Sequence, residues 1–570
     1  MRFILTKNSN LVLQTINYNK ILVGDYYLFY NNNNNDKSSI IEFKYNKVYI
    51  IGDCVNRNII NDSNVWLNDT IFQLKGNFIL IIIQGYRFKI FSSCFGLLPV
   101  YYSDNFNSIS NNFELICDQI NINNKFNKKF ILESFLFNYS FSNQTYLNQV
   151  KLLENFSYIE YNNGKFEVKK YLDIKEWFTE KPENGKKQLS NLASLFLNQI
   201  QYYYSEGINS ITFTSGFDGR TILSAATLHN VKFETFSFGR SQNPDVTVPL
   251  QNSKILNIPY HFYDLGNQEY QNVYFDIATK MSKITGGFNG FLYAHFLYGV
   301  INEKSYSNTL LTGYCGSELF RAMHIQGAVT SKELVSIFTE TDDLKLKDIL
   351  WNSPKLAFIK KSEYINEFED LFAEILEFRK TKDNYISNNH FFYSYIFNEV
   401  FRKVFGALTV AQMEEMNIRT PFLDYDFITA LLRTDLAGCN NEFFTHNPLK
   451  RLKGQMLYAE VIRQSNIKLY TLKTGKGYRP IDLLTPHGKF KILYPYFKKQ
   501  FIRKFQRPYL DNLGIISAYQ YNKYKIDKLY QKLEGFEISK IIEASNKLNS
   551  YTPEEERDIL LQTASMASLL

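Results

Sequence analysis

The chain has 570 residues, 45% of them hydrophobic and 21% charged, with a formal net charge of +8. This composition excludes a generally disordered chain, and the length exceeds one ordinary core, so two domains are expected. The small positive charge suits an anionic partner, but an ordinary charged surface is the better account of it.

Over residues 1–180 short apolar runs alternate with turn clusters: Leu11 to Leu13, Val48 to Ile51, Phe78 to Ile83, Phe88 to Phe91 and Val100 to Tyr102. They predict a β-rich first domain. Asn31 to Asn35 reads as a hairpin tip, and the polar stretch Glu180 to Lys187, with Pro182 and Gly185, as a linker. A second domain is expected over 188–570. Gln188 to Tyr204 has helical spacing, Ile208 to Thr214 reads as a strand and Thr221 to His229 as a helix. Phe233 to Phe238 reads as a second strand and Val246 to Leu256 as a second helix. This alternation predicts a parallel α/β sheet. The stretch beyond Pro480 reads as helical and basic, as in Lys498 to Lys504.

Five cysteines, Cys54, Cys94, Cys117, Cys315 and Cys439, are far apart and form no CxxC pair. They argue against a disulfide framework or zinc site and for a reducing compartment. The longest apolar run is too short for a membrane helix, and the N-terminus lacks a signal-peptide pattern. A soluble cytoplasmic protein is expected, with no membrane or nucleic-acid partner.

The most informative segment is Thr214-Ser215-Gly216-Phe217-Asp218-Gly219-Arg220. A strand ends there and a helix begins, so free amides and the helix dipole point at one spot, which suits an anion. Gly216 and Gly219 allow close backbone approach, and the hydroxyls of Thr214 and Ser215 can donate to phosphate oxygens. Asp218 would repel a bare phosphate, so its place makes sense with Mg²⁺ between them. Taken alone, the segment reads equally as a plain turn with a capping aspartate. No Walker-type glycine loop occurs.

The segment resembles the pyrophosphate loop, SGGxDS, of asparagine synthetases and their relatives. Three further segments resemble that family in the same order: Leu310-Leu311-Thr312-Gly313-Tyr314-Cys315-Gly316-Ser317-Glu318-Leu319-Phe320, Arg419-Thr420-Pro421-Phe422-Leu423-Asp424, and Lys473-Thr474-Gly475-Lys476-Gly477-Tyr478. In the first half, Gly76-Asn77-Phe78 and Phe95-Gly96-Leu97-Leu98-Pro99-Val100-Tyr101-Tyr102 resemble elements of its glutaminase domain. The resemblance implies an N-terminal αββα domain of the Ntn-hydrolase type over 1–180 and an ATP-pyrophosphatase-type parallel α/β domain with additional helices over 188–570. It implies ATP and Mg²⁺ as cofactors, phosphates on Thr214 to Arg220, adenine near Phe238 and Gly239, Gly313 lining the nucleotide, and Lys473 at the leaving pyrophosphate.

Three residues depart from the family. Arg2 stands where glutamine-using members carry their cysteine nucleophile, and arginine neither attacks a carbonyl nor serves as a base. Tyr314 stands where ammonia-using members carry Glu and where β-lactam synthetases carry Tyr. A phenol needs a carboxylate partner to act as a base; Glu399 is the candidate, with Glu414 and Glu415 as rivals. Ser317 replaces a metal-binding aspartate, leaving Asp218 and Glu318 for Mg²⁺. The resemblance thus implies an AMP-forming carboxylate–amine ligase using an acyl-adenylate, with Tyr314, Lys473 and Glu399 as catalytic residues. The expected substrate is a small molecule or a peptide, in the favoured form a precursor peptide cyclised beside a partner peptidase. Ammonia-dependent amidation of aspartate or a sugar acid, and a non-catalytic nucleotide-binding partner, remain as alternatives.

Overall fold

The computed structural model describes residues 2–8, 18–31, 40–119, 126–178, 181–288, 290–321, 329–441, 453–488, 490–494 and 511–570. The expected runs at Leu11 to Leu13 and Lys498 to Lys504, and all but the first residue of the Asn31 to Asn35 tip, lie outside them. The protein is mixed α/β and includes a parallel sheet.

The described residues of the first half form twelve strands: β1 Arg2–Thr6, β2 Asn19–Val23, β3 Tyr26–Asn31, β4 Ile40–Glu42, β5 Lys47–Cys54, β6 Gly76–Gln84, β7 Arg87–Ser92, β8 Tyr101–Ser103, β9 Ser108–Ser110, β10 Val150–Leu152, β11 Ser157–Asn162 and β12 Lys165–Lys170. They form two six-stranded antiparallel sheets, ordered β10-β8-β9-β1-β3-β2 and β12-β11-β7-β6-β5-β4. Alternate residues explain the stacking. Phe3, Leu5 and Leu28 from one sheet meet Tyr49, Ile51, Ile79 and Ile81 from the other in one buried cluster. The outer face of the second sheet is also covered: Val48, Ile50, Phe78 and Leu80 pack on Ile60, Val65 and Ile71. Burial on both faces is why β5 and β6 read as unbroken apolar runs.

The second half carries β13 Asn209–Thr212, β14 Phe233–Gly239, β15 His261–Asp264, β16 Thr309–Leu311 and β17 Asn417–Arg419, all parallel, in the order β15-β14-β13-β16-β17. Connections run outward from β13 in both directions, so the crevice beyond the carboxyl ends of β13 and β16 is the topological switch point, where ligands bind in open α/β sheets. Helices Asp218–Leu228 and Pro244–Leu256 follow β13 and β14. The first starts three residues before the expected Thr221, because Asp218 already belongs to its first turn. The first long helix spans Gly185–Ile200, capped by the Asn184 side chain on the amide of Lys186. The expected linker is therefore partly helical and partly docked, with the Glu183 amide donating to the Arg433 carbonyl at 2.8 Å.

Buried polar bonds join the two halves. The Arg419 guanidinium meets Asp53 at 2.6 Å and donates to the Tyr203 carbonyl at 2.8 Å. Lys75 pairs with Asp424, and the Asn77 amide donates to the Ile418 carbonyl at 2.8 Å. Arg2 pairs with Glu414 at 2.7 Å. One hydrophobic cluster runs from Phe95 through to Ala567, so the halves share a core.

Removing one partner of a buried ion pair strands the other charge. Asp53→Asn is expected to lower unfolding stability by about 3 kcal/mol, read from urea denaturation, with a smaller loss for Arg2→Met at the half-buried pair.

Candidate active site

The loop after β13 turns on Gly219. A Cβ there would lie 1.9 Å from the Thr212 carbonyl oxygen, so helix Asp218–Leu228 sits on its strand at glycine distance. Its N-cap residue, Phe217, places no side chain on the first-turn amides, which leaves them for an anion. Thr214 Oγ1 accepts from the Gly216 amide at 3.3 Å. Ser215, expected to donate to phosphate, is already engaged: Asp245 accepts its amide at 3.1 Å and its hydroxyl at 2.5 Å.

The loop after β16 closes against the first one. A Cβ on Gly313 would lie 2.4 Å from Asp218 Cβ, and one on Gly316 would lie 2.6 Å from Asp218 Oδ1. Cys315 takes a left-handed turn at φ 65° to start helix Gly316–Phe320. Ser317 Oγ donates to Asp218 Oδ2 at 3.1 Å, and the Tyr458 hydroxyl donates to Oδ1. A carboxylate has about four acceptor positions, so two stay open. Burial and then the Asp218 charge push the Glu318 carboxyl up to about 7.

Two neighbouring carboxylates, one reluctant to ionise, fit a shared divalent cation. No group of three or more His, Cys, Asp or Glu side chains gathers anywhere among the described residues. The donors therefore match Mg²⁺ carried in on phosphate oxygens better than a cage built from protein alone.

Four sequence segments converge on Tyr458, from helix Gln455–Ser465. Its ring stacks on Phe217 at 5.7 Å and meets Phe320 at 4.4 Å and Phe422 at 5.8 Å edge-on. Phe217 in turn lies 6.0 Å from Tyr478. The pyrophosphate-loop, Gly313–Phe320, Arg419–Asp424 and Lys473–Tyr478 segments are thus held in one aromatic knot.

Lys473 reaches the site through its loop. The Gly475 amide donates to the Ser215 carbonyl at 3.0 Å, which presses this loop onto the phosphate loop. The Lys473 side chain is exposed, while its carbonyl accepts from Arg220 at 3.0 Å and Asn252 at 3.4 Å. Arg220 was expected to line the nucleotide. Its side chain is fully buried behind the loop and holds the Lys473 backbone. Phe238 and Gly239 close β14 beside the site. Gly239 adopts φ 150°, and a Cβ there would lie 2.8 Å from Asn243 Nδ2.

The Tyr314–Glu399 pair does not form. Glu399 binds Arg402 and, at 2.6 Å, Lys403. Both cations face the first half: Arg402 donates to the Leu153 carbonyl, and Lys403 to those of Ser140 and Ser142. The rivals are engaged too, Glu414 with Arg2 and Glu415 with Lys280 and Lys304. The Tyr314 hydroxyl donates instead to Gln412 Oε1 at 2.8 Å, at the end of a helical run from Asn388 whose middle, Ile396–Phe405, is π-wound. Gln412 lies thirteen residues beyond Glu399, on the order of 15–20 Å along a helix. Burial pushes the Tyr314 phenol well above its ordinary value, so it stays protonated.

Sequence reasoning missed Gln412, Tyr458 and Asp245. None lies inside a recognisable segment, and only the folded chain brings them to the loops. No protein-family model matches this chain, and no curated protein matches it.

Because the Glu318 carboxyl is raised in the fold, the unfolded chain ionises first. Stability is then lost as pH rises from about 4.5 to about 7. Glu318→Gln is expected to flatten that decline and to gain about 1–3 kcal/mol over the wild type at pH 8 without added metal. Thermal melts across pH measure it, and an unchanged slope contradicts the Asp218–Glu318 coupling.

Proposed function

We propose that this protein is an ATP-dependent carboxylate–amine ligase of the asparagine synthetase type, which forms an amide through an acyl-adenylate. The observation that carries the reading is the convergence of the resembling segments on one switch-point crevice. There the uncapped helix start carries Asp218, Ser317 ties the second loop to it, and the Gly475 amide docks the Lys473 loop on Ser215. Such a crevice suits a nucleotide triphosphate.

In this reading the first-turn amides and Thr214 hold the phosphates of ATP, and Phe238 and Gly239 border its base. Mg²⁺ on Asp218 and Glu318 supplies charge neutralisation at the phosphates. Lys473 projects a fixed cation toward the pyrophosphate that leaves when the substrate carboxylate attacks the α-phosphorus. An amine then attacks the acyl carbon as the bond to AMP breaks, and its proton passes to solvent water. Tyr314 does not take that proton, since its partner is an amide. The Tyr314–Gln412 pair instead holds and orients the acyl group or the amine by neutral hydrogen bonds.

The two stacked sheets of the first half support an Ntn-type remnant. Its first strand carries Arg2, tied to Glu414 across the junction, where a glutaminase needs a nucleophile. The amine therefore does not come from glutamine hydrolysis, and cyclisation or modification of a peptide or other specialised acid fits a site without that supply. A non-catalytic nucleotide-binding role is the second reading. It is favoured by Ser317 at a metal position and by Asp245 on the Ser215 amide.

Pyrophosphate release from ATP, over a panel of acids and amines, tests the reading. Asp218→Asn and Lys473→Ala are each expected to cut the rate about 100-fold or more while melting within a few degrees of wild type. Gln412→Glu is expected to add an ionisable group beside Tyr314 and a new acidic limb to the pH–rate profile. Absence of release with every acid would falsify the enzyme and leave the nucleotide-binding reading.

A further inference from the structure

An anion of the chain's own already sits on the phosphate loop. The Ser215 amide donates to Asp245 Oδ1 at 3.1 Å, and the Ser215 hydroxyl donates to the same oxygen at 2.5 Å. Both are donors that a phosphate on this loop would use, and a carboxylate that takes them stands where a phosphate oxygen would.

The two sides of this contact are held differently. Asp245 lies in the first turn of helix Pro244–Leu256, where the helix dipole favours a negative charge. The Asn243 side chain accepts from the Asp245 amide at 3.0 Å, and Asn243 Nδ2 donates to the Asn512 carbonyl at 3.3 Å. The carboxylate is thus fixed from behind. Ser215 and Gly216 are only half-buried. A Cβ on Gly216 would meet Thr214 Oγ1 alone, at 3.5 Å, among the described residues, so the space beside the loop is open. On its other side Ser215 is packed: a Cβ on Gly475 would lie 2.3 Å from Ser215 Oγ, and the Gly475 amide donates to the Ser215 carbonyl at 3.0 Å. A turn of the Ser215 side chain is therefore felt by the Lys473 loop.

A phosphate that enters the open space meets two obstacles. The Ser215 donors are taken, and a fixed negative charge stands 3.1 Å from the loop amide. Like charges brought that close, away from bulk water, repel strongly. The contact consists of two charge-assisted hydrogen bonds, so it breaks only for an anion that replaces both and gains more besides. A phosphate group does so, because the uncapped first turn of helix Asp218–Leu228 offers it further amides. We propose that Asp245 is an autoinhibitory latch: its carboxylate holds the Ser215 donors in the free chain and yields them to a phosphate group when the nucleotide binds. Because Gly475 packs on Ser215, the occupant of the phosphate loop also sets the Lys473 loop. The proposal rests on the ligase reading for the identity of the nucleotide.

Isothermal titration calorimetry of the full chain with ATP, pyrophosphate and adenosine, each with Mg²⁺, tests it in the wild type, Asp245→Ala and Asp245→Asn. Asp245→Ala removes both charge and acceptor, and is expected to bind ATP and pyrophosphate about tenfold or more tightly than the wild type. Asp245→Asn removes the charge and keeps an acceptor. It is expected to tighten both severalfold, and it carries the test if the alanine variant does not fold. Adenosine has no phosphate and is expected to behave alike with all three proteins. Unchanged or weaker pyrophosphate binding by a folded Asp245 variant overturns the latch, and so does a tightening that adenosine shares. Pyrophosphate release from ATP, run in parallel, separates the two claims. Tighter pyrophosphate binding without release keeps the latch and sinks the ligase, whereas release with unchanged affinity keeps the ligase and sinks the latch. Failure of all three proteins to bind ATP or pyrophosphate overturns both.

Discussion

The structure hangs on the carboxylate of Asp218. It ties Ser317, 99 residues away, and Tyr458, 240 residues away, to the start of the first parallel-sheet helix. A Cβ at Gly313 would strike Asp218 Cβ, and one at Gly316 would strike the carboxylate oxygen Oδ1. Gly219 lets the helix carrying Asp218 lie on β13, so the carboxylate arrives between the two loops and not above them. Tyr458 then extends the constraint outward, since its ring also locks Phe217, Phe320 and Phe422. One polar contact and one aromatic ring thus gather segments that the chain keeps far apart.

The same arrangement divides the crevice electrically. Charges repel or attract strongly only where water is thin. At one end burial and the Asp218 charge raise the Glu318 carboxyl. Tyr314 is partnered by the neutral Gln412, and the His295 imidazole is driven down to about 3 by burial and so stays neutral.

How much of this could be read from the sequence depends on range. The parallel sheet was legible because strand, glycine turn and helix follow one another within a few residues, and the β-rich first half because its runs alternate with turns. Glu399 misled for the opposite reason. Helical position brought it near the right element, but two neighbouring cations, Arg402 and Lys403, hold it against the first half. Gln412 and Asp245 were invisible, since nothing local marks a glutamine at a helix end or an aspartate in a helix first turn as belonging to a loop elsewhere. The helix at Gly185–Ile200 began early because Asn184 caps it, so a polar stretch that read as a tether is a helix start.

Arg220 shows how a matching residue serves a site without touching its ligand. Its guanidinium is fully buried, meets the carbonyls of Leu469 and Lys473, and leaves Nε without a partner. Burial pulls it down to about 10, so it remains charged near neutral pH. No carboxylate balances it among its hydrogen bonds, and an uncompensated buried cation is destabilising. The two carbonyls, and the Phe213 ring whose centroid lies 5.9 Å from the guanidinium, offset part of that cost. Arg220 is therefore a strut: from the first turns of helix Asp218–Leu228 it holds the Lys473 backbone in place.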